Sequence, residues 1–141
     1  MSVSEILSGK GSEVITTTPN ASLLEVATIL SERKIGALIV KDGSKVCGIV
    51  SERDIVRHIS KDGADALTQK VAECMTKSVI SSRRSDSIDL VMEKMTAGRF
   101  RHLPVIEDGE LLGIISIGDV VKRKIEQAVR DAEELKRYIA S

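Results

Sequence analysis

Two seven-residue segments carry the residue types best suited to holding a ligand: Gly48-Ile49-Val50-Ser51-Glu52-Arg53-Asp54 and Gly113-Ile114-Ile115-Ser116-Ile117-Gly118-Asp119. In each, an apolar run that reads as a strand ends at a serine opening a helix, with an aspartate one turn in. A hydroxyl beside free backbone N–H groups at a helix start can hold a phosphate, and a carboxylate one turn along can accept both hydroxyls of a ribose. Together they would cradle a nucleotide. The same Ser-x-x-Asp spacing also serves as a capping box that needs no ligand, so a single copy leaves both uses open. Recurrence directly after a Gly-containing strand favours the ligand, although common descent of two repeats would also preserve a cap.

Other candidate chemistry is thinner. Gly9-Lys10-Gly11 looks like a phosphate loop but lacks the upstream Gly and has no Ser or Thr after Lys10. Cys47 and Cys74 stand far apart with no Cys-x-x-Cys and only His58 and His102 for company, so they read as two buried thiols rather than a metal site or a disulfide. Neither adjoins a His in a nucleophile motif, and Ser116 sits in Gly-x-x-Ser-x-Gly rather than a nucleophile elbow. No catalytic residue and no metal ligand is assigned.

The two ligand segments are the ends of a longer repeat. Residues 14–56 match residues 79–121 at a constant offset of 65, with identities that include Val14/Val79, Val26/Val91, Leu38/Leu103, Ser51/Ser116 and Asp54/Asp119. A preface repeats as well: Val3-Ser4-Glu5-Ile6-Leu7 resembles Val71-Ala72-Glu73-Cys74-Met75 at an offset of 68, so the first copy has three extra residues around Gly9-Lys10-Gly11. Each copy predicts the order β-α-β-β-α. A strand over 14–17 precedes a helix with a Ser22-x-x-Glu25 start and an apolar side of Leu23, Val26, Ala27 and Leu30, matched by Ile88, Val91, Met92 and Met95. Hairpins follow, 37–40 with 46–50 around Asp42-Gly43 and 103–106 with 111–115 around Asp108-Gly109, and then the second helices from Ser51 and Ser116. Two such small sheets cannot each close a core, so the copies are expected to pack as a pseudo-twofold pair in an α+β fold. Residues 1–62 form the first repeat with an N-terminal helix and 63–141 the second with an extended C-terminal helix, joined through a polar linker over 61–69. On that last helix Val121, Ile125, Ala128, Ala132, Leu135 and Ile139 make an apolar stripe, fitted either to the chain's own N-terminal helix or to a second copy.

Composition narrows the class. Twenty-one Lys plus Arg balance 21 Asp plus Glu, which removes the charge footprint of a non-specific nucleic-acid binder, and Phe100 and Tyr138 are too few for a base-stacking platform. No apolar run approaches the roughly 18 residues of a membrane span, and the start Met1-Ser2-Val3-Ser4-Glu5 is unlike a secretory signal, so a cytoplasmic address without membrane contact is expected.

The paired units with Gly-h-h-Ser-x-x-Asp endings (h apolar), the openings Val14-Ile15-Thr16 with Pro19 and Val79-Ile80-Ser81, and Arg101-His102-Leu103-Pro104-Val105 resemble a tandem of cystathionine-beta-synthase (CBS) domains, a Bateman module. The resemblance covers nearly the whole chain. It implies a non-catalytic regulatory module binding adenosine-containing ligands such as AMP, ADP, ATP, NAD(H) or S-adenosylmethionine between the repeats, sensing energy or redox state. It implies that Asp54 and Asp119 take ribose hydroxyls and Ser51 and Ser116 phosphate. Ile15 with Thr16, and Ile80 with Ser81, would line adenine pockets, while Arg101 and His102 would reach the phosphate of the ligand on Asp54. Arg53, Arg99, Ala37, Leu103 and Pro104 complete the expected ligand-binding set, Arg99 and Arg101 being alternatively a solvated basic edge. The first copy has Ile35-Gly36-Ala37 where the second has Phe100-Arg101-His102, so the Asp119 site is expected to lack a facing cation. A homodimer, after the family's habit of pairing modules into a disc, and an unknown protein target regulated in trans are the expected partners. The rival readings are a nucleotide-processing enzyme and a ligand-free or nucleic-acid-binding adaptor using Lys77, Arg83, Arg84, Arg99 and Arg101.

Overall fold

The computed structural model of the chain describes residues 1–11 and 13–140. In order it has α1 (Val3–Lys10), β1 (Thr16–Thr17), α2 (Leu23–Arg33), β2 (Ala37–Asp42), β3 (Lys45–Ser51), α3 (Glu52–Asp62), α4 (Val71–Cys74), α5 (Ile88–Gly98), β4 (His102–Glu107), β5 (Glu110–Ser116) and α6 (Ile117–Ala140). The segment 61–69, expected as a polar linker, instead finishes α3 and makes a 3-10 turn, Gly63–Thr68, that buries Ala66 completely.

The α+β architecture follows from local chemistry. Ser22 and Ser87 stand at equivalent places before α2 and α5, and each hydroxyl accepts the N–H three residues on, from Glu25 and Leu90, at 3.1 Å. The helices bury Leu23, Val26 and Leu30 in one case and Ile88, Val91 and Met95 in the other; Met92, expected on the apolar side, is exposed. Both helices end on a non-glycine residue in the left-handed region, Lys34 and Arg99 at φ 55°, which turns the chain sharply into β2 and β4.

The hairpins pair β2 with β3 and β4 with β5 in antiparallel registers that correspond residue for residue. Their tight turns are also equivalent, centred on Gly43-Ser44 and Asp108-Gly109. The glycine has moved one place: φ is positive at Gly43 in the first turn, as type II′ requires, and at both Asp108 and Gly109 in the second, as type I′ requires. The first strand differs more. In the first repeat β1 runs parallel to β2 with Thr16 opposite Ile39 and Thr17 opposite Val40. In the second, only the bridge between Ser82 and Val105 survives, because Pro104 stands at the position of Ile39 and has no N–H to give the neighbouring strand.

The prefaces exchange partners. The N-terminal helix α1, grouped by sequence with the first repeat, packs on the second: Val3, Ile6 and Leu7 share a core with Ile88, Val91, Met95, Leu103, Val105, Ile115 and Val120. Conversely Val71 and Cys74 of α4 enter the core of Leu23, Val26, Leu30, Leu38, Val40, Val50 and Ile55. Main-chain bonds fix the exchange in reciprocal pairs. Val3 N–H donates to Asp86 O (2.9 Å) and Val71 N–H to Ala21 O (2.8 Å); Ser4 N–H donates to Arg84 O and Ala72 N–H to Pro19 O, both at 3.0 Å. These pairs are the pseudo-twofold symmetry. Each preface also covers the glycine of a ligand segment, since a Cβ on Gly48 would lie 2.5 Å from Met75 Sδ, and one on Gly113 2.5 Å from Leu7 Cδ2.

Exchange makes a local test available. Ile6→Ala is expected to cost about 2–5 kcal/mol in urea unfolding, as large-to-small core changes do. Amide exchange should quicken in α5, β4 and β5, not in α2, β2 and β3; acceleration confined to the first repeat would contradict the packing.

Candidate functional site

A cavity of about 220 Å³ opens between the repeats around Asp54. Its wall on one side is the β3–α3 junction: Ile49, Ser51, Glu52, Arg53, Asp54 and Arg57. The second repeat supplies Thr76, Ser78 and Ile80 from the run before α5, and Arg99, Phe100, Arg101, His102 and Pro104 from the α5–β4 corner. Among the expected ligand residues, Ser51, Arg53, Asp54, Ile80, Arg99, Arg101, His102 and Pro104 are thus brought together.

Others are not. Leu103, expected at the ligand, is buried in the second core like its counterpart Leu38 in the first, and Ala37, the counterpart of His102 on the opposite face of its strand, is buried but does not line the cavity. Ile15 packs against the first core and Thr16 is exposed on β1. Ser81 gives its carbonyl to Lys94 Nζ at 2.8 Å. Ser116 and Asp119 form the equivalent junction of the second repeat, outside this cavity. Sequence reasoning missed Ile49 and Glu52, which lie within the first ligand segment, Arg57 one turn beyond it, and Thr76 and Ser78, which reach the cavity only through the exchange of prefaces.

Asp54 is nearly buried, and its Oδ2 accepts the Ser51 N–H at 2.9 Å and the Ser51 hydroxyl at 3.2 Å. Its other oxygen lies 3.6 Å from Arg57 Nη1. The carboxylate therefore caps α3 with one oxygen and faces the cavity's cations with the other. Arg53 Nη1 donates to the Arg99 carbonyl at 3.0 Å, and the left-handed turn at Arg99 presents that carbonyl while carrying the chain on to Arg101. Four arginines line the cavity against the two carboxylates of Glu52 and Asp54.

His102 sits where the repeats touch. Gly36 of the first repeat makes room for it, since a Cβ there would be 2.8 Å from His102 Cε1 and 3.1 Å from Glu52 Oε1. Burial holds the imidazole below its ordinary pKa, aided by the charges of Lys10 and Arg101 and opposed by Glu52 and Asp119. It is neutral at pH 7.

The second junction departs from expectation. Asp119 Oδ2 accepts the Ser116 N–H at 2.8 Å, Asp119 N–H donates to Ser116 Oγ at 3.2 Å, and Lys10 Nζ reaches the same Oδ2 at 2.7 Å and the Ile114 carbonyl at 2.9 Å. A cation does face Asp119, and it comes from α1. Burial acts to raise the carboxyl's pKa, but the bonds from Lys10 and Ser116 with the Lys10 charge prevail and hold it below the usual range.

Two copies of one β-α-β-β-α unit, joined by exchanged prefaces and offering an aspartate at each β–α junction, match the CBS domain model over residues 3–61 and 71–126. The chain belongs to the CBS domain family. Similar solved structures are CBS proteins too. A CBS-domain containing protein of Agrobacterium tumefaciens is 47% identical over 87% of this chain and 92% of its own, with a TM-score of 0.85. The CBS domain pair of protein MJ0100, in complex with 5′-methylthioadenosine and S-adenosyl-L-methionine, is 26% identical over 90% and 98%, TM-score 0.80. A CBS domain protein of Pyrobaculum aerophilum complexed with AMP is 28% identical over 84% and 89%, TM-score 0.74. No helix among the described residues is long and apolar enough to cross a membrane.

The position of His102 between the CBS repeats sets a pH dependence. With its folded pKa below the unfolded value of about 6.5, the unfolded chain takes up the proton first as pH falls. The contribution of His102 to the stability of the ligand-free protein is therefore full above that value and declines through it toward the lower folded pKa. In urea unfolding at pH 7.5, 6.5 and 5.5, His102→Gln should lose less stability on acidification than the parent; equal slopes would show that His102 is as exposed to protons folded as unfolded.

Proposed function

We propose that this CBS pair is a non-catalytic regulatory module that binds one adenosine-containing nucleotide in the Asp54 cavity and passes its occupancy on through the contact between the repeats. The observation that carries the reading is the junction itself: a carboxylate fixed by its own helix cap, inside a cavity walled by the other repeat. A fixed, partly desolvated carboxylate suits two ribose hydroxyls. Ile80 and Pro104 line the same cavity, and Pro104 cannot donate to the Ile80 carbonyl as a strand residue at that place would, so that carbonyl can serve an adenine amino group. The excess of arginine over carboxylate favours a ligand bearing phosphate, and AMP, ATP and NAD(H) are the candidates, with Arg101 and His102 on the phosphate side. The relatives complexed with AMP and with S-adenosyl-L-methionine support the adenosine part.

Catalysis finds less support. Burial, then the charges of Glu73, Asp54 and Asp62, push the Cys74 thiol up from its ordinary pKa, and its Sγ leans on Gln69 Oε1 at 3.4 Å. Half-buried Cys47 donates to the Val40 carbonyl at 3.3 Å. Cys74 therefore lacks the thiolate character of a nucleophile.

A homodimer fits the outer helices. Val56 and Ile59 on α3 and Val121, the counterpart of Val56, with Ile125 and Val129 on α6 are exposed apolar residues on pseudo-equivalent faces. The start of α6 packs within the chain through residues beside the stripe, with Val120 buried and Arg123 Nη2 donating to the Glu5 carbonyl at 2.9 Å, while Val121, Ile125, Ala128, Ala132, Leu135 and Ile139 are all exposed.

Asp54→Ala should weaken AMP binding in titration calorimetry about ten- to a hundredfold, the worth of roughly 1.5–3 kcal/mol for hydrogen bonds to a charged acceptor. A lowered melting temperature of the empty protein with unchanged AMP affinity would make Asp54 a cap and nothing more. For the dimer, sedimentation of the parent at micromolar concentration should give two chains per particle and Ile125→Glu mostly one; a monomeric parent removes the dimer, and a dimeric variant removes the α6 seam from it.

A further inference from the structure

The equivalent junctions around Asp54 and Asp119 are built alike up to the point where the prefaces end, and there they part. In the second repeat's preface the helix α4 stops at Cys74, Met75 becomes extended, and Thr76 exchanges main-chain bonds with Ile49, donating to its carbonyl at 2.8 Å. Ile49 and Thr76 then line the Asp54 cavity. In the first repeat's preface the three extra residues, nearly one helical turn, let α1 run on to Lys10 before Gly11 ends it at φ 90°. The Ile114 carbonyl, counterpart of the Ile49 carbonyl, meets the Lys10 ammonium at 2.9 Å in place of a main-chain N–H.

We infer that Lys10 is a built-in occupant of the second junction, bonded to the Asp119 carboxylate where a ribose would bind, so that each chain takes its nucleotide at the Asp54 junction alone. Three observations carry this. The ammonium is 2.7 Å from Asp119 Oδ2, which already accepts the Ser116 N–H, so a ribose whose two hydroxyls use both carboxylate oxygens would have to displace a charged donor from one of them. The side chains of Lys10 and Asp119 are about one third and one fifth exposed, enough shielding for the pair to resist a neutral hydroxyl donor. The Asp54 junction has no such plug: the nearest cation to its carboxylate, Arg57, stands 3.6 Å off and largely in solvent. Lys10 is held in place from the other side too, since Gly9 beside it lies under Arg123, whose Nη2 would be 2.6 Å from a Cβ there.

The inference rests on reading both aspartates as ribose acceptors, and the test separates the two claims. Full-length protein and the variant Lys10→Met, which keeps the aliphatic stem, are titrated by calorimetry with AMP, 5′-methylthioadenosine and S-adenosyl-L-methionine. The parent should bind one ligand per chain with at least one of these probes. Lys10→Met should bind two, the second at least tenfold tighter than any second event in the parent, and Lys10→Met with Asp119→Ala should return to one. A second site that weakens when Lys10 is removed would make Lys10 a phosphate ligand and overturn the inference. So would a stoichiometry that stays at one in Lys10→Met, or two equal sites in the parent; in these cases the Asp54 site and the proposed function stand. No binding of any probe to either protein overturns the proposed function and this inference together.

Discussion

Everything in this molecule depends on the exchange of prefaces. Neither small sheet can cover its own apolar face: the first has three strands and the second two. Each is completed by a helix that belongs, in chain order, to the other repeat, and the main-chain pairs from Val3 to Asp86 and from Val71 to Ala21 lock both exchanges in one geometry. Removing either preface would open a core. The ligand segments inherit this constraint, because Gly48 and Gly113 are glycine for the passage of Met75 and Leu7, not for a phosphate. The motif that first suggests a nucleotide is therefore half packing and half chemistry.

The same exchange explains how two copies of one unit come to differ in function. The residues facing Asp54 come from the preface of the second repeat and its α5–β4 corner; those facing Asp119 come from the preface and corner of the first. A short preface with Arg101 and His102 gives a cavity with cations on its wall. A preface longer by three residues, with Gly36 and Ala37 at the corner, gives a junction whose carboxylate pairs with a cation of the preface itself, Lys10. Gly36 serves the other side, making space for His102. One substitution thus leaves its own junction without a side chain and lets the neighbouring junction receive one.

Much of this was legible in the residues. The 65-residue offset, the hairpins, the cap at Ser22 and the aspartates after each ligand strand are local patterns, and local hydrogen bonding and periodicity decide them. Pro104 has no N–H to give a neighbouring strand, and the ladder is broken there. What could not be read is what lies across space. Leu103 shares the alternation of its neighbours, and only the packing of the exchanged helices decides that its side of the sheet is core. The run over 61–69 is polar enough to read as a linker, yet Ala66 anchors it. Lys10 fails a phosphate-loop pattern, and the informative signal is the length of its segment: three residues added to a helix move its end by nearly a turn.

That point bears on the choice between cap and ligand at Asp54 and Asp119. The two uses are not exclusive, because each carboxylate spends Oδ2 on the N–H of the helix-opening serine. The cap fixes the plane of the carboxylate and turns its remaining acceptor capacity toward the cleft, and a preorganised acceptor binds with less loss of side-chain freedom than a loose one. Capping is then the device by which the ligand acceptor is held, and what the chain must control is which donor reaches it. At Asp54 the approach is left to the cleft between the repeats. At Asp119 an ammonium carried on the far end of α1 sits on the capping oxygen itself and stands in the approach, so the difference between the two junctions comes down to one turn of helix contributed by the opposite end of the chain.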